Sequence, residues 1–319
     1  MKNVPIQHHY IPRFILRNFC SKDENICYFD NSRQQVCMRE ISNIFVVPNL
    51  YKDTNNENPV EIEELLSSFE NEASLIIKKF LNGKSDVELT VEENDKLMLF
   101  FAIMGFRSLN AQKSFRNTNS KEFYSFWQKD GNIGEFWKRN LKEVSKCRSI
   151  QEVLNSKTID DPIKVFMGRD TIGLTGSYFI IAERRGNEDF VISDSYPVNI
   201  NGEAPNGFSI RMYCFFPISP SRLLILAGAG VKFPIPEVRI FNEDLLTMPF
   251  MSSDRKKIIF HVRKMYEDHV KYVNGEMMGS CRQGFAFKDS KKVTIDEKLK
   301  EYRVRSIRDD IRMHVTDKT

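Results

Sequence analysis

Apolar positions in the first half of the chain recur at helical spacing. Ile62, Leu65, Leu66, Phe69, Ala73, Ile76, Ile77 and Phe80 fall on one stripe between Pro59 and Asn82-Gly83. That is the period of an amphipathic helix with a proline ahead of it and a glycine stop. At Thr90-Val91-Glu92-Glu93 a capping box opens a second helix, and its 97–106 stretch is apolar all round, which places it in the middle of the core. Further helices are predicted at 121–129, 135–145 and 149–155, with another starting near 161 at Asp160-Asp161-Pro162.

The period then changes. Tyr178-Phe179-Ile180-Ile181-Ala182, Phe190-Val191-Ile192 and the runs 212–216 and 223–226 are short and β-rich, separated by Gly, Pro, Asn and Ser, as in an antiparallel sheet. Earlier, Asp30-Asn31-Ser32-Arg33 lies between Ile26-Cys27-Tyr28-Phe29 and Gln35-Val36-Cys37-Met38, which predicts a hairpin. A long helix is predicted over 253–273, ended by Asn274-Gly275. Helices, then strands, then a helix is an α+β order. The expectation is one α+β domain over 1–288, with a helical body at about 59–172 and a small antiparallel sheet at about 177–227. A long C-terminal helix and a basic C-terminal extension over 289–319 complete it.

Composition narrows the class. With 319 residues and 41% apolar content, the chain can bury a substantial core and lies near the upper size of a single one. Its longest apolar run, 97–104, is far short of the roughly 20 residues of a membrane-spanning helix. Val4-Pro5-Ile6 leads directly into a histidine motif rather than into a secretion leader. A cytoplasmic protein without a membrane partner is the expectation. Six cysteines without a C-x-x-C pair read as reduced thiols. Cys20, Cys27 and Cys37 with His8 or His9 lack the paired spacing of a structural zinc site. The net charge is +4, and from Asp254 onward Lys and Arg outnumber Asp and Glu 17 to 11. Such an arm suggests phosphate-bearing partners. Its Lys291-Lys292 and Arg303-x-Arg305-x-x-Arg308 are nevertheless interleaved with Asp296, Glu297, Glu301, Asp309 and Asp310, which reads as a solvated face.

The densest chemistry is at the start: Gln7-His8-His9-Tyr10-Ile11-Pro12-Arg13-Phe14-Ile15-Leu16-Arg17-Asn18-Phe19. A terminal segment so rich in imidazole, guanidinium and rings is expected to be packed rather than loose. This motif resembles the signature of a mainly bacterial family of unknown function, numbered 4238 in that series. Along the chain, Asn49-Leu50-Tyr51, Ile62-Glu63-x-x-Leu66-x-x-x-Glu70-x-x-Ala73 and Arg107 are similar to further family segments. So are Ser193-Asp194-Ser195-Tyr196-Pro197-Val198 and Phe216-Pro217-Ile218-Ser219-Pro220. The family's usual Asp-Asn-Pro is one residue longer here, at Asp194-Ser195-Tyr196-Pro197, so a site on that bend is aimed differently. The resemblance implies which residues to watch and no particular reaction.

Two readings of these residues stand open. In the first, Arg13 and Arg17 share a helix face and with Arg107 grip a phosphate, while His8 or His9 transfers a proton. Asp194 with Glu63 or Glu70 then binds Mg²⁺ or Mn²⁺, or orients water. That reading is an enzyme of nuclease or phosphodiesterase type in bacterial defence, with nucleic acid or a nucleotide as partner. In the second, Arg13 and Arg17 bridge acidic residues of the predicted helix between Glu61 and Glu72, the histidines cap buried backbone, Asp194 caps its own turn, and the protein is a non-catalytic module binding an anion or peptide. The two differ in whether an imidazole reaches Asp194 or an open cleft. Other templates contribute little. No Lys follows Asp194 as an Asp…Glu-x-Lys nuclease requires. Arg263-x5-His269 also recurs at Arg255–His261 and Arg308–His314, as expected by chance. P-loop, dinucleotide, Gly-x-Ser-x-Gly and His-Glu-x-x-His motifs are missing.

Overall fold

A computed structural model describes residues 7–21, 23–53, 57–108, 133–171, 177–203, 209–228, 241 and 245–295. The predicted helix at 121–129 and the basic segment beyond 295 lie outside these residues.

The N-terminal part runs β1 (Gln7–His9), α1 (Arg13–Arg17), β2 (Asn25–Asp30), β3 (Gln35–Glu40) and β4 (Val46–Pro48). The predicted hairpin is β2 and β3, and β1 pairs antiparallel with β4. The helical body is α2 (Glu61–Asn82), α3 (Val91–Arg107), α4 (Ile133–Lys146), α5 (Ile150–Asn155) and α6 (Asp161–Thr171), with strand β5 (Asp86–Thr90) between its first two helices. The apolar stripe of α2 is buried through Ile62, Leu66, Ala73, Ile76, Ile77 and Phe80. The capping box that starts α3 is formed in both directions by Thr90 and Glu93. Because α3 packs against α2, α4 and α6 as well as the sheet, it is apolar on all sides. Phe101 lies 3.9 Å from the ring centre of Phe216 and 5.2 Å from that of Phe179, which joins the helical body to the sheet.

The remaining strands are β6 (Tyr178–Arg184), β7 (Ile192–Ser193), β8 (Val198–Glu203), β9 (Ser209–Ser219), β10 (Arg222–Ala227), β11 (Phe250–Met251), β12 (Lys257–Met265) and β13 (Gly284–Phe287). Helix α7 (Glu267–Ser280) precedes the last of them. The fold is α+β, but the sheet is wider than 177–227 predicts. A seven-stranded sheet runs β11-β12-β6-β10-β9-β8, with β5 also on β12. It is mixed, since β12 pairs parallel with β6. A second, four-stranded sheet runs β3-β2-β13-β7, so the N-terminal hairpin is closed by residues from the far end of the chain.

The predicted long helix at 253–273 is corrected. Residues 257–261 pair antiparallel with β5, and 262–265 pair with β6, so β12 supplies hydrogen bonds that two neighbouring strands need. Only the 14-residue α7 remains helical. It also runs past Asn274-Gly275, because the buried Asn274 amide is occupied elsewhere, accepting from Val191 N and donating to Asp189 O.

Candidate functional site

The structure gathers five of the predicted site residues, with Tyr51, around strand β1. His8 is 1% exposed, and its Nδ1 accepts the Tyr51 backbone N–H at 2.9 Å. The accepting nitrogen carries no proton, so the neutral ring is protonated at Nε2. Its ring stacks on Tyr51 at 5.3 Å. His9 is half-buried and places Nε2 2.9 Å from the Ile41 carbonyl. A carbonyl only accepts, so Nε2 is the donor and Nδ1 holds the lone pair. Burial lowers the His9 pKa, and Arg13, Arg107 and His8 add to this against the opposing Ile41 bond.

Arg107 is the centre of the cluster. It sits in the last turn of α3 and is 1% exposed. Nε donates to Tyr10 O and Nη2 to His9 O, both at 3.0 Å, while Nη1 meets Glu70 Oε1 at 2.5 Å. The planar fork thus joins α3 to the backbone of β1 and to α2, with its charge neutralised by Glu70. Glu63 lies two turns before Glu70 on the same helix. Burial raises its pKa, with Arg107 opposing and Glu70 reinforcing the shift.

Arg13 and Arg17 do share a face of α1, and both are exposed. They hold one carboxylate, Glu24, at 3.2 and 2.8 Å, and not the acidic residues of α2 expected from the sequence, because Glu24 at the start of the β2 hairpin lies against the same exposed face of α1. The hydrogen bond from Arg17, helped by the charges of both arginines and the hydrogen bond from Arg13, keeps Glu24 below the usual carboxylate value against the opposing effect of desolvation.

Asp194 serves a different part of the fold, although its charge acts on Tyr10. It follows β7, is 5% exposed, and accepts Arg282 N at 2.9 Å and Gln283 N at 2.5 Å. Burial raises its pKa against those backbone donors. Its own N–H donates to Gly284 O at 3.2 Å, which seats β13 against the bend. A side chain at Gly284 would collide with the Phe29 carbonyl and the Tyr28 ring. Asp194 thus ties the end of β7 to the turn after α7. Among the described residues no group of three His, Cys, Asp or Glu side chains is placed to share a metal ion. Nor do the cysteines cluster: Cys20 donates to Leu16 O and Cys37 to Tyr28 O, while Cys27 meets Met38 Sδ. Arg263 lies on β12 and His269 on α7, so that spacing does not fall on one helix.

A polar cleft of about 430 Å³ opens where α1 ends against the turn from β9 to β10. Sequence reasoning did not single it out. Its lining includes Asn18, Arg184, Asp189, Ser219, Ser221, Lys288 and Lys292. Asn18, from the N-terminal motif, donates to Ile218 O at 2.8 Å. Asp189 is 3% exposed and lies 2.9 Å from Arg184 Nε, at an angle unsuited to a hydrogen bond. Burial raises the Asp189 pKa, with Arg184, Lys292 and Lys288 opposing and Asp289 reinforcing it. The Asp189 backbone is fixed by its N–H to Lys292 O at 2.7 Å. The signal that pointed here was indirect: Asn18 and Ser219-Pro220 belong to two of the segments that carry the family resemblance.

No helix among the described residues is long and apolar enough to cross a membrane. No curated protein and no solved structure matches this chain. A family model described as "Protein of unknown function (DUF4238)" matches residues 7–292, from β1 to the turn beyond β13, and the chain belongs to that family.

Proposed function

We propose that this chain is a non-catalytic binding module for an anionic ligand, and that the N-terminal motif is the clamp that holds it together. The observation that carries this reading is the destination of the motif's polar groups. His8 serves the Tyr51 amide, His9 the Ile41 carbonyl, Arg107 two carbonyls and Glu70, and Arg13 and Arg17 one carboxylate. His8, His9 and Arg107, committed in this way, are poor candidates for a substrate phosphate, because releasing them uncovers buried backbone, while Arg13 and Arg17 already share the exposed Glu24 carboxylate. The cleft supports the anionic partner, since Lys288 and Lys292 at its mouth are exposed, and neither is within 4.0 Å of a carboxylate among the described residues.

One observation favours the nuclease or phosphodiesterase alternative with His8, His9 and Asp194 in catalysis. His9 keeps a lone pair on Nδ1 and Glu63 is a half-buried carboxyl, and the Arg107 charge acts on both. Burial moves their pKa values toward each other, as in acid–base pairs. Thermal unfolding of His9→Gln in the presence and absence of nucleotides, short RNA and DNA, Mg²⁺ and Mn²⁺ separates the readings. A clamp gives a lower melting temperature with ligand-induced shifts intact. A catalytic His9 gives an unchanged melting temperature and loses cleavage of a nucleic acid or phosphodiester that the wild type cleaves.

A further inference from the structure

We infer that the cleft between the end of α1 and the turn from β9 to β10 is the binding site, and that its ligand is a small phosphorylated sugar or polyol. This inference rests on the anion-binding reading and specifies its site and ligand class.

Three features of the cleft select that chemistry. The first is charge. Arg184, Lys288 and Lys292 face Asp189 and Asp289, which leaves one cation in excess. Asp189 is matched to Arg184 at 2.9 Å, and Asp289 spends Oδ1 on the Lys291 N–H while keeping its charge, so the one excess positive charge lies with the two lysine ammonium groups. The second is the pair of hydroxyls. Ser219 Oγ and Ser221 Oγ lie 3.3 Å apart, and one hydrogen bond between them uses only one of their two O–H groups. The other is left to donate to a phosphate oxygen. The third is an acceptor. Asp189 Oδ1 and Arg184 Nε are buried without a well-aligned hydrogen-bond partner, and buried polar groups are rarely left so. A sugar hydroxyl set apart from the phosphate supplies a donor for Asp189 while the phosphate stays with the lysines, whereas the one P–O–H of dianionic inorganic phosphate lies on the anion itself.

Size agrees with a small molecule. About 430 Å³ falls within the range of about 300–1,000 Å³ typical of such sites, with room for a sugar beside its phosphate. Among the described residues the lining carries Leu81 and Pro220 but no aromatic ring, so these residues offer no stacking platform of the kind on which single-stranded nucleic acids are bound.

Calorimetric titration of the full chain with glucose phosphate, glucose, inorganic phosphate, citrate and a short phosphorylated oligonucleotide tests this. Glucose phosphate is expected to bind more tightly than any other probe, and Lys288→Gln with Lys292→Gln to weaken it roughly ten-fold while leaving the fold intact. Ser219→Ala with Ser221→Ala is a second, uncharged disruption of the same site and is expected to weaken it less. Equal affinity in wild type and the double lysine variant overturns the assignment of the cleft, even though an anion still binds. Preference for citrate or the oligonucleotide overturns the ligand class and leaves the anion-binding reading standing. Failure of every anion to bind overturns that reading and this inference with it.

Discussion

The N-terminal cluster and the cleft are both polar, both lined by cations, and both assembled from distant parts of the chain, yet their side chains are bonded to different things. In the cluster nearly every strong donor ends on backbone. Arg107 reaches the carbonyls of His9 and Tyr10, His9 the carbonyl of Ile41, and His8 receives the amide of Tyr51. In the cleft much of the backbone is bonded within itself, as Asp189 N to Lys292 O and Phe190 N to Pro220 O, and among the described residues the ammonium groups of Lys288 and Lys292 are not drawn into holding it. A dense group of histidines and arginines is therefore a weak guide to a binding site when buried irregular backbone lies beside it, since such backbone must be satisfied somehow.

The largest effect that this contrast predicts is at Arg107. Arg107→Met leaves two buried carbonyls and Glu70 without their donor, and removing one partner of a buried pair costs about 3–5 kcal/mol. Denaturant unfolding is expected to show that loss in full. Arg107→Lys should recover only a small part, because an ammonium cannot span three acceptors in one plane. A full recovery by lysine would mean that charge alone, and not the fork, holds β1 to α3.

At His8 the expected cost is smaller. His8→Leu keeps the bulk but removes the acceptor of a buried amide, worth about 1–3 kcal/mol, and calorimetry should find it below the loss at Arg107. His9 adds a dependence on pH. Its folded-state pKa is lowered by burial from the ordinary 6.5, so below pH 6.5 the unfolded chain takes up a proton that the folded chain resists. Measured against His9→Gln, wild-type stability should be level above that pH and decline as the pH falls through it. A difference that does not change across this window would place His9 in water, contrary to the cluster's geometry.

How much of this could be read in the chain depends on whether the deciding partner is near in sequence. Helices α2 and α3 were legible because their signals are local: a stripe, a capping box, a glycine stop. Strand β12 was not. Ile258, Ile259, Val262 and Met265 fit a helix about as well as a strand, and only the unpaired edges of β5 and β6 decide between them. Asn274 misled for the same reason, since its amide serves Val191 and Asp189 rather than ending its helix. The motif residues were legible as important and their cluster as a location, but the sequence cannot show that the acceptors of Arg107 are carbonyls. The cleft was less visible still. Its residues lie at Asn18, Arg184, Asp189, Ser219, Ser221, Lys288 and Lys292, and no linear motif joins them.

The smallest predicted effect on stability bears most directly on the contrast between the two regions. Lys288 and Lys292 are exposed, and substitutions at such positions usually change stability by no more than about 0.5 kcal/mol. Lys288→Gln with Lys292→Gln should therefore unfold at the wild-type denaturant concentration with an unchanged slope. Asp189 supplies a control in the same cleft. Asp189→Asn leaves the partly buried Arg184 guanidinium without its counter-charge, so it should destabilise the protein as the lysine changes do not. If the two lysine substitutions instead cost as much as losing His8, the cleft's cations are structural as well, and the difference between a satisfied cluster and an available one disappears.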